Sequence, residues 1–578
     1  MNPTESLLSP SHRLSRWFLL ALLILFTTVW FSNLEYRKLV RPDEGRYAEI
    51  GREMALSGDW ITPRLNDLKY FEKPPLQYWA TAAAFRLFGD SHWGARWWPA
   101  TTTFACVLLM YWTGRRLYND DEIALSAAAT LGGCTGFIIN SHLNTLDGGL
   151  AAFLTIGLLG FLLAQHSGAT PRENRNWMLV VWAALALAVL SKGLIGIVLP
   201  GAVLTLYLLI QRDWALLTRL HLGKGLALFL LIAAPWFIAV SLVNDEFARF
   251  FFIHEHFERF LTNGHRREGA WHYFIPILLI GIMPWLPFVA VRLREGWRRN
   301  DSSSPRPLAG EGPWVRVLQP LRLLLLWAGF IFLFFSVSSS KLPSYILPVF
   351  PALTLFAAVE MQRMKPEMLS GLAWGLAVAG GGLLLIVLIA GEPMARAFSK
   401  DTSPFEIVRD YIPWILASIT AFTAGASAAA GLFRTRSCSA GMVALAFGSL
   451  IAGILAMDGH DTQSRLSSTY HIVGEIEAAY GPLDRSLPFY SIRMHDQTLP
   501  FYLKRPVTLV EYTDEFTLGL NAEPEKGIAK VKDWQPHWIA LKQGYAIMNP
   551  ANYERFKNEE LPMHVLARDP RRVIVSRQ

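Results

Sequence analysis

Two adjacent carboxylates between two guanidiniums, Arg41-Pro42-Asp43-Glu44-Gly45-Arg46-Tyr47, follow a long apolar run. Gly58-Asp59-Trp60 and Phe71-Glu72-Lys73-Pro74-Pro75 come soon after. Carboxylates held near lipid are costly without compensation. The cluster therefore reads as a solvated interfacial helix with ion pairs among Asp43, Glu44, Arg46 and Glu49, or as a site. On spacing alone the helix is the better reading, because an Asp-Glu pair is a weak motif. Asp147 shifts the balance. It lies in Asn144-Thr145-Leu146-Asp147-Gly148-Gly149, a second carboxylate at the end of a separate apolar run. A helix N-cap role for it stands level with a catalytic one. Cations recur beside the same run ends: Arg46, Lys73, Lys192 and Lys341, with Arg259, Arg266 and Arg267 in a later loop. Arg and Lys near a headgroup plane bind phosphate well. Snorkelling to the interface is the alternative, and for Lys192 alone the favoured one. Tyr345 lies one turn beyond Lys341 and fits either a phosphate site or an aromatic belt. His254, His256, His265 and His272 show no metal-binding spacing and read as interfacial polar residues.

The elements that hold these residues are apolar runs. Of 578 residues 52% are apolar and 17% charged, with a net charge of +8 and three cysteines. That excludes a disordered chain, a disulfide scaffold and an ordinary soluble enzyme. About thirteen runs reach spanning length: 17–33, 97–114, 121–140, 147–165, 177–191, 193–211, 225–243, 273–291, 320–337, 342–359, 369–390, 411–432 and 440–457. The first lacks a cleavage site and reads as a retained anchor. With the N-terminus inside, every inner loop is basic, for example at Arg115-Arg116 and Arg434 with Arg436. The loops 34–96 and 244–272 then lie outside, with amphipathic stretches Asp43–Leu56 and Leu76–Phe88 expected along the membrane surface. No charge falls near the middle of a run. A transporter usually keeps ionisable groups at the midplane, so this pattern favours an enzyme acting at the outer leaflet. Residues 1–457 form the membrane domain. Charge density rises from Asp458, and 458–578 reads as a soluble α/β domain facing the periplasm. Its expected strands are Leu487–Ser491, Val507–Val510, Trp538–Leu541 and Val573–Val575, and its expected helices Tyr470–Tyr480 and Gly544–Phe556. The Ser/Pro-rich 301–313 is a linker. Cys106, Cys134 and Cys438 fall in or beside the runs, so no disulfide is expected.

The same residues carry a family resemblance. Arg41–Ile50, Arg52-Glu53-Met54, Gly58–Arg64 and Lys69–Trp79 resemble the aminoarabinose transferases (ArnT), within the GT-C superfamily of polyprenyl-phosphate-dependent glycosyltransferases. Further matches are Ser191-Lys192-Gly193, Glu255–Phe260, Pro284-Trp285 and Ser338–Pro348, spread over most of 40–350. The C-terminal half resembles the family in layout only. One departure is Gly264-His265-Arg266-Arg267-Glu268-Gly269, where the family has a shorter His-Arg-Ala-Pro run. Arg266 and Arg267 therefore compete for one role.

The resemblance implies an all-α polytopic GT-C membrane protein of about thirteen helices with a small α/β periplasmic domain. It implies transfer of 4-amino-4-deoxy-L-arabinose from undecaprenyl phosphate to a lipid A phosphate in the bacterial inner membrane, giving polymyxin resistance. Asp43, Glu44 and Asp147 are the catalytic candidates. Lys73, Arg266, Arg267 and Tyr345 would hold the carrier phosphate, with Arg46, Tyr47, Glu72, His265 and Lys341 nearby. Because the acceptor is already anionic, Asp43 either orients it or meets the sugar's amino group. The expected partners are the carrier-linked sugar, lipid A and membrane lipids, with no nucleic acid. No cofactor or metal is expected to be required, and the residues set no oligomeric state. Two rivals are a GT-C transferase with another sugar or a protein acceptor, and a flippase of the lipid-linked sugar.

Overall fold

The computed structural model describes residues 14–258, 269–298, 319–400 and 403–577. Among the described residues, seven helical segments are long and apolar enough to cross a membrane: Leu146–Gln165, Pro171–Lys192, Leu222–Val243, Pro320–Val337, Pro366–Phe398, Phe405–Thr435 and Cys438–Ser467. Three expected spans are shorter helices, Arg16–Phe31, Ile195–Gln211 and Val349–Met361. A further run lies inside the 27-residue helix His92–Tyr118.

Two expected spans are not straight. Asp121–Gly132 and Thr135–Ser141 meet at 62°, and Phe274–Gly281 and Leu286–Leu293 at 109°. The first break has a packing reason. A Cβ on Gly133 would stand 2.6 Å from the Ala446 Cα, so only glycine admits the backbone of Cys438–Gly459 this close. Local signals set the starts of several helices. The Asp120 carboxylate accepts from the Glu122 and Ile123 amides. Thr170 and Glu173 form a reciprocal capping box ahead of Pro171.

Leu146–Gln165 is the buried axis of the bundle, with nearly every side chain inside. A helix apolar on all sides must be enclosed on all sides. At the end of the bundle away from the soluble domain, Glu360 is buried between Arg292 (3.0 Å) and Arg363 (2.8 Å). The three cysteines are free.

The last helix of the bundle ends at Gly459. Beyond it stands a six-stranded sheet in the order Gly527–Ile528, Thr508–Val510, Phe489–Ile492, Gly544–Met548, Val573–Arg577, His564–Arg568. The first four strands are parallel and the last two antiparallel. Alternation along the strands buries both faces. Phe489, Ile547 and Ile574 meet the helices Tyr470–Tyr480 and Leu499–Leu503, while Ile492, Met548 and Val575 meet Trp534, Trp538 and Phe556.

Two expectations in this domain reverse. Trp538–Leu541 is not a strand, because Trp534 and Trp538 sit four residues apart on the helix Val531–Ala540 and pack at 5.3 Å. Gly544–Met548 is a central strand, and only Pro550–Asn558 after it is helical.

The two amphipathic stretches form helices Asp43–Ser57 and Leu76–Phe88. They do not lie bare along a membrane surface. Nine of the fifteen residues in the first are buried. A Cβ on Gly51 would stand 2.6 Å from Thr81, and one on Gly45 2.7 Å from the Gln497 carbonyl oxygen. The helix is thus sandwiched between Leu76–Phe88 and the soluble domain. Asn66 fastens this layer: its Nδ2 donates to the Val507 carbonyl and its Oδ1 accepts from the Val507 amide, both at 2.7 Å. Arg64 with Glu523 (3.0 Å) and the Leu39 amide on the Tyr502 hydroxyl (2.9 Å) complete it.

Candidate active site

Under this layer opens a cavity of about 530 Å³. Its charged wall comprises Asp43, Glu72, Asp147 and Glu255 with Arg46, Lys73 and Lys192. Its apolar wall includes Ile195, Val198, Leu199, Phe334, Phe335 and Pro348. Mostly apolar with one charged side, it suits an amphipathic ligand: a lipid chain along one wall and an anionic head against the other.

Helix ends place the central pair. Asp147 sits in the first turn of Leu146–Gln165, and Lys192 is the last residue of Pro171–Lys192. Each charge opposes the local helix dipole. Lys192 Nζ is ion-paired to Asp147 Oδ1, and Ser344 Oγ donates to Asp147 Oδ2 at 2.8 Å. Lys192 Nζ also stands 4.7 Å above the Tyr345 ring centroid. The N-cap expectation for Asp147 is corrected, since Thr145 holds that position. The snorkelling expectation for Lys192 is corrected as well, because its ammonium turns inward to a carboxylate.

Lys73 donates to the Glu72 carbonyl (2.7 Å) and to Glu255 Oε2 (3.0 Å), which sits on the π-helix Arg249–Glu258. Arg46 reaches Asp43 Oδ1 at 3.3 Å and Glu515 Oε2 at 2.5 Å. Burial would lower the Arg46 pKa, but Tyr70, Glu515, Tyr47 and Asp43 hold it well above the ordinary value. Burial raises the Glu515 pKa against the pull of Arg46. Tyr47 lines the cavity with its ring 6.0 Å from Tyr78, and burial drives its hydroxyl pKa well up.

Glu44 is not at the site. Its carboxylate turns away from the cavity and grips Arg96 through both oxygens, at 2.7 and 2.8 Å, while accepting from the Asn144 amide. Burial would raise its pKa, but Arg96, Arg37 and the Asn144 amide outweigh that and hold it at about 2. Of the ion pairs expected among Asp43, Glu44, Arg46 and Glu49, Asp43 with Arg46 forms at 3.3 Å, whereas Glu44 pairs with Arg96 and Glu49 with Arg52 at 2.6 Å.

Lys341 is also a structural group here. Its ammonium donates to the Ser336 and Ser338 carbonyls, both at 2.8 Å, and so caps the helix Pro320–Val337. His265, Arg266 and Arg267 lie outside the described residues, as does Arg259. Among the described residues no three His, Cys, Asp or Glu side chains converge as metal ligands.

Sequence reasoning missed Glu255, Ser344 and Glu515 as site groups. The first two lie inside family-like stretches, which was a usable signal. Glu515 carried none, because only the docking of the soluble domain brings it to Arg46.

A bundle of broken and continuous apolar helices, a charged cavity at one end and an α/β domain closing over it define a GT-C membrane glycosyltransferase. Residues 15–251 match the family model described as dolichyl-phosphate-mannose-protein mannosyltransferase, and residues 476–577 that of the aminoarabinose transferase C-terminal domain. The second match gives the C-terminal domain, over residues 476–577, a likeness in sequence beyond layout. The undecaprenyl phosphate-alpha-4-amino-4-deoxy-L-arabinose arabinosyl transferase of Pseudomonas aeruginosa (strain UCBPP-PA14) is 30% identical over 590 residues, covering 96% of this chain and 99% of the relative. The protein of that name from Edwardsiella ictaluri is 33% identical over 400 residues, covering 67% and 68%. The crystal structure of ArnT from Cupriavidus metallidurans bound to undecaprenyl phosphate superposes with a TM-score of 0.89 at 36% identity, covering 98% of this chain and 99% of that one. The chain belongs to the undecaprenyl phosphate-aminoarabinose arabinosyl transferase family, and is an enzyme that transfers a glycosyl group.

Proposed function

We propose that this protein moves 4-amino-4-deoxy-L-arabinose from undecaprenyl phosphate to a phosphate of lipid A, at the periplasmic face of the inner membrane. The cavity carries this reading, because among the described residues it pairs a polar wall bearing Arg46, Lys73 and Lys192 with an apolar wall at the end of the bundle. Basic loops at the opposite end support the orientation.

An acceptor phosphate oxygen attacks the anomeric carbon while the bond from that carbon to the carrier oxygen breaks, releasing undecaprenyl phosphate. Lys73 and Lys192 stand where negative charge grows on the leaving phosphate, and such preset charge is the main source of rate in reactions of this kind. Among the described residues, four carboxylates stand on the wall with three cations. An ammonium-bearing sugar suits those carboxylates, and Asp43 or Glu72 would receive it. The acceptor is ionised at neutral pH, so no strong general base is required. Protein cations can balance the charge, so transfer is expected to proceed without a divalent metal.

Mass spectrometry of lipid A from cells with and without the chain tests the assignment, with Asp43→Asn as the third arm. The expected result is an aminoarabinose adduct only with the intact chain, reduced by roughly 10²-fold or more in the variant. An unmodified lipid A in all three would reject the acceptor. Loss of transfer on chelation, restored by a divalent ion, would reject metal independence.

A further inference from the structure

Among the described residues of the cavity wall, Arg46 is held from outside the bundle. Its guanidinium is shared between Asp43 on its own helix, at 3.3 Å, and Glu515 of the soluble domain, at 2.5 Å. The exposures of the three side chains differ in a telling way: 36% for Asp43, 11% for Arg46 and 6% for Glu515. Asp43 and Arg46 line the cavity, whereas Glu515 stands behind them. Glu515 is itself aimed, because Gln497 Nε2 donates to its other oxygen at 2.8 Å. The absent side chain of Gly45 lets the segment bearing Gln497 close onto the helix. Backbone fit and side-chain bonds thus converge on one guanidinium.

We propose that Glu515 is a positioning residue for transfer, fixing Arg46 so that Arg46 keeps the Asp43 carboxylate turned to the reacting groups. An arginine tied only to a half-exposed aspartate would swing onto an incoming phosphate and leave Asp43 unheld. A second, buried carboxylate anchors the guanidinium by an ion pair that solvent screens little. The soluble domain thereby completes the site in addition to covering it. This rests on the reading of Asp43 as a group that meets substrate.

The test uses purified full-length protein. Glu515→Gln preserves shape while removing the charge. The turnover number should fall roughly tenfold or more, as for a displaced electrostatic group, with KM for the donor near wild type. Glu515→Asp should recover part of the loss. Arg46→Gln combined with Glu515→Gln should be no slower than Arg46→Gln alone, since one effect passes through the other. Wild-type turnover in Glu515→Gln, or losses that multiply in the double variant, would overturn the proposal. So would a Glu515→Gln structure with the Arg46 guanidinium unmoved beside Asp43. If the wild-type protein transfers no aminoarabinose, the assigned sugar fails, and that structure still decides the positioning. If Glu515→Gln does not fold, Gln497→Ala loosens the same carboxylate and should give a smaller loss of the same kind.

Discussion

Lys73 and Glu44 show two fates of charge within one loop. The Lys73 ammonium faces the cavity and is held by Glu255, an acidic partner that an incoming phosphate must displace. Removing one charged donor from a phosphate costs about 1.5–3 kcal/mol. Lys73→Ala should therefore weaken binding of undecaprenyl phosphate to the purified protein by roughly 10- to 100-fold, with much less effect on yield; unchanged affinity would place the phosphate elsewhere. Glu44, beside Asp43 in sequence, is instead sealed against Arg96. Its folded pKa of about 2 lies below its ordinary 4.5, so its contribution is fully present above 4.5 and is lost as pH falls toward 2. That contribution is about 3 kcal/mol. Thermal melting of the detergent-solubilised protein between pH 5 and 2 should show this loss, and Glu44→Gln should flatten it. Glu44→Gln should also destabilise at neutral pH by about 3–5 kcal/mol, because Arg96 is left buried without its partner.

At the scale of elements, the site is a meeting of helix ends and one interfacial helix. Asp147 and Lys192 come from opposite ends of two neighbouring antiparallel helices, so their pairing follows from the packing of those helices. Asp43–Ser57 owes its seat to small residues. Gly45 faces the soluble domain, and a Cβ there would stand 2.7 Å from both the Gln497 oxygen and the Thr498 methyl group. Gly45→Ala should push the two apart, lowering stability by about 1–3 kcal/mol as overpacking does. Melting should report that loss, together with reduced transfer. A variant as stable and as active as wild type would show that the helix position is not set by this contact.

For the whole molecule, the question is what joins the soluble domain to the bundle. Asn66 is buried and gives its amide to both backbone groups of Val507. Asn66→Ala strands a buried donor and acceptor, costing about 1–3 kcal/mol for each group left unpaired. Hydrogen exchange should rise at the Val507 amide and along the strand Thr508–Val510, while the helices of the bundle keep their protection. Uniform loss of protection would mean that the two parts unfold as one unit.

The membrane class, the approximate span positions and the main cavity groups were legible in the residues. Long apolar runs allow few structures in lipid; Asp43, Lys73 and Tyr345 lie in stretches that resemble the family, and Asp147 stood out as a second carboxylate at a run end. Tertiary structure alone separated Asp43 from Glu44, turned Lys192 inward, made Lys341 a helix cap and brought Glu515 to Arg46. It also decided the strand Gly544–Met548, since a short apolar run has no periodicity that marks it as strand or helix. Charge type and spacing are local properties of a chain. Which opposite charge a side chain finds depends on packing between segments hundreds of residues apart, and for buried groups that partner decides their role.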